Sequence, residues 1–328
     1  MKKIFFTFFV SILASYVIAS DETGLKEFKR EVRREFSIGA NAGLRVENKF
    51  GNIRIVEGTE NKISFVIEIT GKGQTDALAK ELAEAISIEF AQRGDQVTAE
   101  TVMRNINCNN CGRNTNYTIV APKSVTLNLV NKFGNIHVEN VIKPMNVNLE
   151  FGDLEANSLA DVTIENKHGN ITINTCNDLK LNCSFSKIKI GKSNRMKVES
   201  KHDGFQIGTI TDLDIKTSFT TIRIDNLEDS FVGAEFNHGT LDISNISPRF
   251  SRIKVDSNFS TIKLGLDNRH SFKANIHTQF SGIHTGSLTM NNFKSQRNSI
   301  EFSGTMGSAT NPSAIVDISA KHGNINFK

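Results

Sequence analysis

Four cysteines form two local pairs, and such pairs can bind metal, exchange electrons or form disulfides. The pairs are Cys108/Cys111 and Cys176/Cys183. No histidine pair stands at zinc-finger spacing, and the segment around Cys108 reads as a loop, not as the start of the helix that a thioredoxin-like redox site needs. Because an exported chain meets an oxidising environment, both pairs are candidate disulfides.

Histidines recur at regular spacing, which raises the question of a metal site. His168 and His202 occupy one column two repeats apart, at roughly 10 Å for one strand spacing per repeat, and one ion cannot bridge that distance. Phe185 occupies the same column between them. We call the Phe and His residues of this column anchors, and we predict for them a stacking or corner role, with no metal and no cofactor.

Acidic residues could cleave a polysaccharide if they formed a glycosidase pair or a Ca²⁺ cluster. They instead form a loose outward column three residues before the anchors, and a mixed-charge column lies four residues after the anchors. No Ser/His/Asp signature and no Gly-rich phosphate loop stands out, so no catalytic residue is predicted. The columns are Glu47, Glu165, Glu199, Glu235 and Asp256, and Arg54, His137, Lys189, Arg223, Asp242, Lys263 and His284.

Arg93-Gly94-Asp95 has the sequence of a cell-attachment tripeptide. It lies at the predicted tip of a hairpin, where Gly-Asp is an ordinary turn. The turn accounts for these residues, so no receptor site is predicted here.

A recurring phrase, Lys-Phe/His-Gly-Asn-Ile, positions the anchors. Full copies begin at Lys49, Lys132, Lys167 and Lys321, and altered copies lie between them. From Phe133 onward the anchors are 17–22 residues apart, which is typical of stacked repeats. The anchors are Phe50, Phe133, Phe151, His168, Phe185, His202, Phe219, His238, Phe259, Phe280, Phe302 and His322.

Apolar residues stand six and four positions before nearly every anchor, and three and five positions after most of them. This period of two indicates strands, and the change of parity indicates a corner at the Gly-Asn pair. The predicted fold class is all-β: a single-stack parallel β-solenoid, or β-helix, with about 17–22 residues per coil, plus a small α+β N-terminal cap. Phe219 is predicted to be buried in the anchor column, so Phe219→Asp should cost more than ~3 kcal/mol. The alternative is an antiparallel meander with each Phe-Gly-Asn at a hairpin tip.

Three segments are predicted along the chain. Residues 1–19 are a signal peptide, with a basic start, an apolar run and a cleavage site before Ser20. Residues 20–125 hold a first coil and the cap, including a helix that begins after Thr75. Residues 126–328 are the repeat solenoid, whose last coil is predicted to leave an open end available for self-association.

Removing residues 1–19 leaves 37 basic and 35 acidic side chains, a net charge of +2. This near balance gives no electrostatic case for nucleic acid, and no transmembrane segment is predicted in the mature chain. The predicted location is the periplasm, the cell surface or the extracellular space.

Three features together carry a resemblance to a known family. They are the stretch Tyr117–Pro122 leading through Leu127-Asn128-Leu129 into Phe133–Val138, the repeated Gly-Asn-Ile corners, and the signal peptide. The chain resembles the bacterial putative-adhesin β-solenoid family, related to the putative auto-transporter adhesin head domain. The resemblance covers about residues 30–328 and implies a stacked-coil fold and an envelope or surface location.

The leading function hypothesis is an exported, non-enzymatic binding protein, an adhesin or envelope protein that presents a repetitive face to a glycan or to a protein. The alternative is a periplasmic structural scaffold or envelope-stress accessory that docks a partner at its open end. A polysaccharide-active β-helix enzyme ranks third.

Overall fold

The computed structural model describes residues 24–59, 61–288 and 294–328. The predicted signal peptide, residues 1–19, lies outside the described residues. The described part of the chain holds twenty-five strands, joined by parallel and antiparallel pairs, and one helix. Its contacts divide into two compact units, unit 1 up to Pro144 and unit 2 from Met145 to Lys328. The boundary predicted between residues 125 and 126 stays a prediction.

Unit 1 contains nine strands and the helix. Antiparallel pairs join β1 to β4, β4 to β7 and β5 to β6, and parallel pairs join β2 to β6 and β8, and β3 to β7 and β9. The elements are β1 Lys26–Ser37, β2 Gly43–Phe50, β3 Ile53–Gly58, β4 Lys62–Gly73, α1 Asp76–Glu84, β5 Ile86–Arg93, β6 Gln96–Met103, β7 Gly112–Pro122, β8 Thr126–Phe133 and β9 Ile136–Val141.

The predicted helix is present, with Thr75 as its N-cap. The Leu78 N–H donates to Thr75 Oγ1 at 3.2 Å, which satisfies one of the free donors at a helix start. Ala79, Leu82 and Ala83 are buried. A Cβ on Gly71 of β4 would come 2.2 Å from the Ala79 carbonyl oxygen, so this glycine is needed for the close helix-strand approach.

Unit 2 consists of strands. They are β10 Met145–Glu150, β11 Leu154–Leu159, β12 Val162–Lys167, β13 Asn170–Ser184, β14 Lys187–Lys201, β15 Gly204–Ser218, β16 Thr221–Asn237, β17 Thr240–Ile246, β18 Arg252–Asn258, β19 Thr261–Leu264, β20 Phe272–Gln279, β21 Gly282–His284, β22 Lys294–Gln296, β23 Ser299–Met306, β24 Ile315–Lys321 and β25 Asn324–Phe327.

Parallel pairing in unit 2 follows the sequence repeat. Each of β13, β14 and β15 runs from just after one anchor to just before the next, and the partners are 17 residues apart: Ile171 pairs with Ile188 and Ile188 with Phe205. All three side chains are buried, as the apolar alternation predicts. Two antiparallel pairs, β20 with β23 and β23 with β22, also belong to unit 2. The fold is therefore all-β with a mixed sheet, and a purely parallel solenoid is not confirmed.

The order of the last repeats differs from the prediction. Strand β24 pairs in parallel with β18 on one side and with β20 on the other, and β25 pairs likewise with β19 and β21. The final repeat in the sequence therefore lies between two earlier ones. Because β24 and β25 are paired on both sides, the prediction that the last coil leaves an open end is wrong.

Phe302 is also not a member of the anchor column. It lies on antiparallel strand β23 opposite Ile276, and its side chain is buried at 3% exposure. The antiparallel direction removes it from the parallel register that places the other anchors of unit 2 above one another.

Candidate functional site

Nine anchors of unit 2 form one continuous stack of rings, which we call the aromatic ladder. Neighbouring ring centroids are 4.7–5.0 Å apart and neighbouring planes differ by 2–11°. Phe and His alternate at every step. In spatial order the rungs are Phe151, His168, Phe185, His202, Phe219, His238, Phe259, His322 and Phe280.

The backbone of every rung is left-handed. All nine residues have φ between 51° and 61°, a conformation that costs a residue with a Cβ about 1–2 kcal/mol. The backbone N–H of each interior rung still belongs to the sheet: that of Phe219 donates to the Asn237 carbonyl at 2.9 Å. The corner therefore turns without losing its inter-strand hydrogen bond.

A small hydroxyl residue follows four of the rungs and holds the corner. Each hydroxyl donates to the carbonyl of the residue just before the rung, at 3.0–3.1 Å. Sequence reasoning missed these residues, although their position directly after the anchor is a signal that could have found them. They are Ser186, Thr220, Ser260 and Ser281.

The rings of the ladder are exposed. The five phenylalanines are each 50–55% exposed, and the four histidines are exposed as well. The prediction that Phe219 is buried is wrong, because the left-handed backbone turns the ring out of the core. A carboxylate at Phe219 would stay in water, so the predicted cost of burying a charge does not apply.

Ring edges, not ring faces, meet the solvent along the ladder. Each interior rung has a neighbouring ring against both of its faces. A sugar ring or a cation that needs an aromatic face is therefore excluded from the interior rungs. The exposed surface consists of aromatic C–H edges with an imidazole at every second rung.

Basic side chains flank this strip. Lys167, Lys201 and Lys321 directly precede three of the histidine rungs, and all three are exposed. Beyond the ladder, an open groove of about 590 Å³ is lined by side chains that include Lys187, Lys189 and Arg223. Asp153 and Glu155 also line the groove, so the surroundings of the ladder are apolar at the rings and carry both charges in the groove, with lysines directly beside three of the histidine rungs.

The predicted charged columns are only partly regular. Lys189, Gln206 and Arg223 are neighbours on β14, β15 and β16, as a column requires. A register shift in the pairing of β15 with β16 disturbs the acidic column, and Glu235 there has φ 55° and an ion pair with Lys216 at 3.3 Å. The described residues contain no group of three or more His, Cys, Asp or Glu that could hold a metal ion.

A buried polar cluster lies under the corners that follow Phe185 and His202. The Asp203 carboxylate accepts hydrogen bonds from the Ser186 N–H and the Ser200 hydroxyl, both at 2.7 Å, and from the Lys201 N–H at 2.9 Å. Cys183 Sγ lies 3.3 Å from it. The carboxylate is occupied by these hydrogen bonds to backbone and hydroxyl groups, so we interpret the cluster as structural.

The prediction of a Cys176–Cys183 disulfide is wrong. Both are free, buried thiols on β13, and burial raises the pKa of each. Cys176 is the neighbour of Leu159 on the next strand, whereas Cys183 is the neighbour of Asn166, so the strand holds the two sulfurs in different parts of the core. Cys108 and Cys111 are joined by a disulfide in the loop between β6 and β7.

Unit 1 has one ring pair of its own. Phe50 stacks on Phe133 at 5.1 Å with planes 10° apart, and both rings are half-buried. Lys49 and Lys132 lie over these rings, with Nζ 5.6 and 5.9 Å from the centroids. The pair therefore exposes less apolar surface than the rungs of the ladder.

The Arg93-Gly94-Asp95 turn is used by the fold. Asp95 Oδ1 accepts the Gly39 N–H at 2.9 Å, and the Asp95 carbonyl accepts the Gly43 N–H at 3.1 Å. The carboxylate is thus engaged within unit 1, in agreement with the interpretation as a turn.

No family model matches this chain, and no curated protein matches it either. Among solved structures, it is similar to a putative cell adhesion protein from Clostridium sporogenes, at 12% identity over 92% of this chain and 99% of that one, with a TM-score of 0.22. A putative adhesin from Bacteroides fragilis is 13% identical over 91% and 97%, with a TM-score of 0.38. A putative lipid binding protein from Parabacteroides distasonis is 14% identical over 71% and 93%, with a TM-score of 0.39.

The names of these similar structures are those of adhesion and binding proteins. The resemblance to putative adhesins is thus found again among solved structures, at identities and TM-scores too low to carry an argument about what this chain does. In the described part of the chain, no helix has the length and apolarity needed to cross a bilayer.

Proposed function

We propose that this chain is an exported, non-enzymatic binding protein of the cell envelope or surface, and that the aromatic ladder is its recognition surface. We also propose that the parallel pairs of unit 2 form a solenoid that holds the ladder straight. The observation that carries the proposal is the exposure of nine stacked rings in one line.

The size of the strip supports this role. Eight steps of 4.7–5.0 Å give a length of about 39 Å. Half-exposed phenylalanines leave roughly 100 Å² each in water, so five of them expose roughly 500 Å² before the histidines are added. A strip of this size matches the largest apolar patch of a typical monomer, which is often a functional surface.

The backbone conformation adds a second argument. Glycine or asparagine would adopt the left-handed corner more easily than Phe or His, and would not leave an apolar ring in water. The chain nevertheless places a ring at each of nine corners. Turn formation alone does not account for these rings: stacking along the ladder accounts for their alignment, and recognition of a partner accounts for their exposure.

Of the two predicted partner classes, a protein fits the ladder better than a glycan. Sugars stack on aromatic faces, and the interior faces are covered by neighbouring rungs. A protein surface can instead pack apolar side chains against ring edges. The scaffold alternative depended on an open end at the last coil, and β24 is paired on both sides.

Binding to isolated envelope fractions tests the proposal. The variant carries Phe185→Asn, Phe219→Asn and Phe259→Asn, because asparagine tolerates a left-handed backbone. We expect at least tenfold weaker binding than wild type, with melting temperatures showing that both proteins are folded.

Glu235→Asn is the matched control, since Glu235 is exposed and left-handed but lies off the ladder. It should bind like wild type. Equal binding by the triple variant and wild type would reject the ladder as the recognition surface. Protease treatment of intact cells tests the location separately.

A further inference from the structure

The spacing of the rungs restricts what can lie along the aromatic ladder. A partner that contacts all nine rungs in the same way must repeat every 4.7–5.0 Å. An extended peptide advances 3.3–3.4 Å per residue and loses register within a few rungs. An α-helix has a pitch of about 5.4 Å and drifts by most of a rung over eight steps. Stacked β-strands, at about 4.7–4.9 Å, stay in register along the whole strip.

We propose that the partner of the ladder is the ladder of a second copy of this chain. This inference rests on the proposed function and names the partner of the same surface. The ring edges of one copy would pack against the ring edges of the other at the same spacing, rung against rung, as the dry faces of stacked sheets pack together. Such a contact is homotypic, and it can join copies in solution or on neighbouring surfaces.

The exposed area is sufficient for this contact. The five half-exposed phenylalanines supply roughly 500 Å², and four exposed histidines bring the strip close to the roughly 800 Å² per partner of a standard stable interface. A self-complementary patch of this kind suits a two-fold dimer, in which the same surface is used by both partners.

The ladder has an odd number of rungs, so one rung is central and its contact in a dimer can be predicted. Phe219 is the fifth of the nine rungs. In a fully overlapped pair related by a two-fold axis, the central rung meets its own counterpart whether the two ladders run in the same or in opposite directions. Phe185, the third rung, meets its counterpart only if the ladders run in the same direction.

The charges beside the ladder predict the effect of salt. Lys167, Lys201 and Lys321 would bring like charges of two copies near each other. Salt screens this repulsion, so the self-association constant should rise with ionic strength. An anionic partner held by the same lysines would show the opposite dependence.

Sedimentation of the chain from residue 20 onward, at several concentrations and at low and high salt, tests the inference. We expect a reversible dimer that is favoured by salt in wild type and in Glu235→Asn. The dimer dissociation constant should rise at least tenfold in the triple variant Phe185→Asn, Phe219→Asn and Phe259→Asn. A second measurement uses Phe219→Cys, which should form an intermolecular disulfide under mild oxidation.

A monomeric wild type at all concentrations would overturn the inference, as would a triple variant that dimerises like wild type. If wild type stays monomeric but binds envelope fractions through the ladder, the proposed function stands and only the second copy is rejected. If the triple variant changes neither self-association nor envelope binding, both fail. Absence of the Phe219→Cys disulfide in a dimeric protein would place the interface elsewhere.

Discussion

The corners of unit 1 and of unit 2 have nearly the same residues, but the backbone turns differently in the two units. In unit 1 the positive φ belongs to glycine, at 112° in Gly51 and 136° in Gly134, and the preceding ring is half-buried. In unit 2 the positive φ belongs to the ring residue itself, and the ring is exposed. The position of the positive φ thus goes with the exposure of the ring: half-buried where glycine carries it, exposed where the ring residue carries it.

Different polar contacts support the two kinds of corner. In unit 1, the Asn48 amide donates to the Gly51 carbonyl at 3.2 Å and to the Thr115 carbonyl at 3.0 Å, and it accepts from Thr101, whose hydroxyl also contacts Tyr117 at 2.6 Å. In unit 2, a hydroxyl directly after the rung bonds back across the turn. The two kinds of corner are therefore held by different groups: an amide network in unit 1, and in unit 2 a hydroxyl after four of the rungs together with the Asp203 carboxylate under two of the corners.

The largest expected effect is at Gly134. A Cβ there would come 2.2 Å from the Gly51 carbonyl oxygen at a φ that L residues rarely adopt, so Gly134→Ala should lower the free energy of unfolding by about 3 kcal/mol. Chemical denaturation measures it. Gly94→Ala is the control, with φ 60° and no neighbour within 4 Å, and should cost about 1 kcal/mol. Equal losses would show that the glycine corner of unit 1 has no special close approach.

The second effect concerns the ring corner of unit 2 and compares two substitutions at Phe219. Phe219→Val should lower the free energy of unfolding by about 2 kcal/mol, because a β-branched residue fits the left-handed region poorly. Phe219→Asn should cost only about 1 kcal/mol, because asparagine tolerates the left-handed backbone and the loss is that of the ring stacking on His202 and His238. Denaturant midpoints rank the two. A smaller loss for valine would mean that apolar contact, not backbone conformation, dominates at the ladder.

The smallest effect is a dependence on pH that belongs to unit 1. Burial raises the pKa of Tyr117 to about 12, whereas an unfolded tyrosine ionises near pH 10. The folded state therefore keeps a proton that the unfolded state loses, and stability should fall by about 1 kcal/mol between pH 9 and pH 11.

Tyrosinate absorbance measures this titration directly. Tyr16 lies in the predicted signal peptide, so Tyr117 is the single tyrosine of a chain that begins at residue 20. Titration near pH 10 in the folded protein would contradict the buried network beneath the corner of unit 1. The denatured protein is the control and should titrate near pH 10.

Local alternation made much of this fold predictable. The apolar positions around the anchors, the corner at Gly-Asn and the helix after Thr75 all follow from patterns of a few residues. The anchor lies an even number of positions after two inward residues, so alternation alone assigned Phe219 to the core. A left-handed φ at the anchor breaks that alternation, and a residue with a Cβ gives no sequence signal for it.

Long-range order was the other part that sequence could not provide. Anchor spacing near the C-terminus is compatible with simple succession, and nothing local shows that β24 pairs with β18 or that Phe302 faces Ile276. The state of the cysteines could not be predicted either. Sequence spacing alone does not show that Cys108 and Cys111 form a disulfide whereas Cys176 and Cys183 stay free thiols. Such features depend on which strands meet in space.

The placement of β24 and β25 between earlier strands restricts the order in which unit 2 can fold. Strands β24 and β25 are synthesised after the strands on both of their sides, so they must enter the middle of a sheet whose two flanking parts already exist in the chain. Unit 2 therefore cannot be completed by adding one repeat after another from its N-terminal end. Without β24 and β25, the edges of β18 and β20 would stay unpaired, so the sheet closes here only when these two strands are in place.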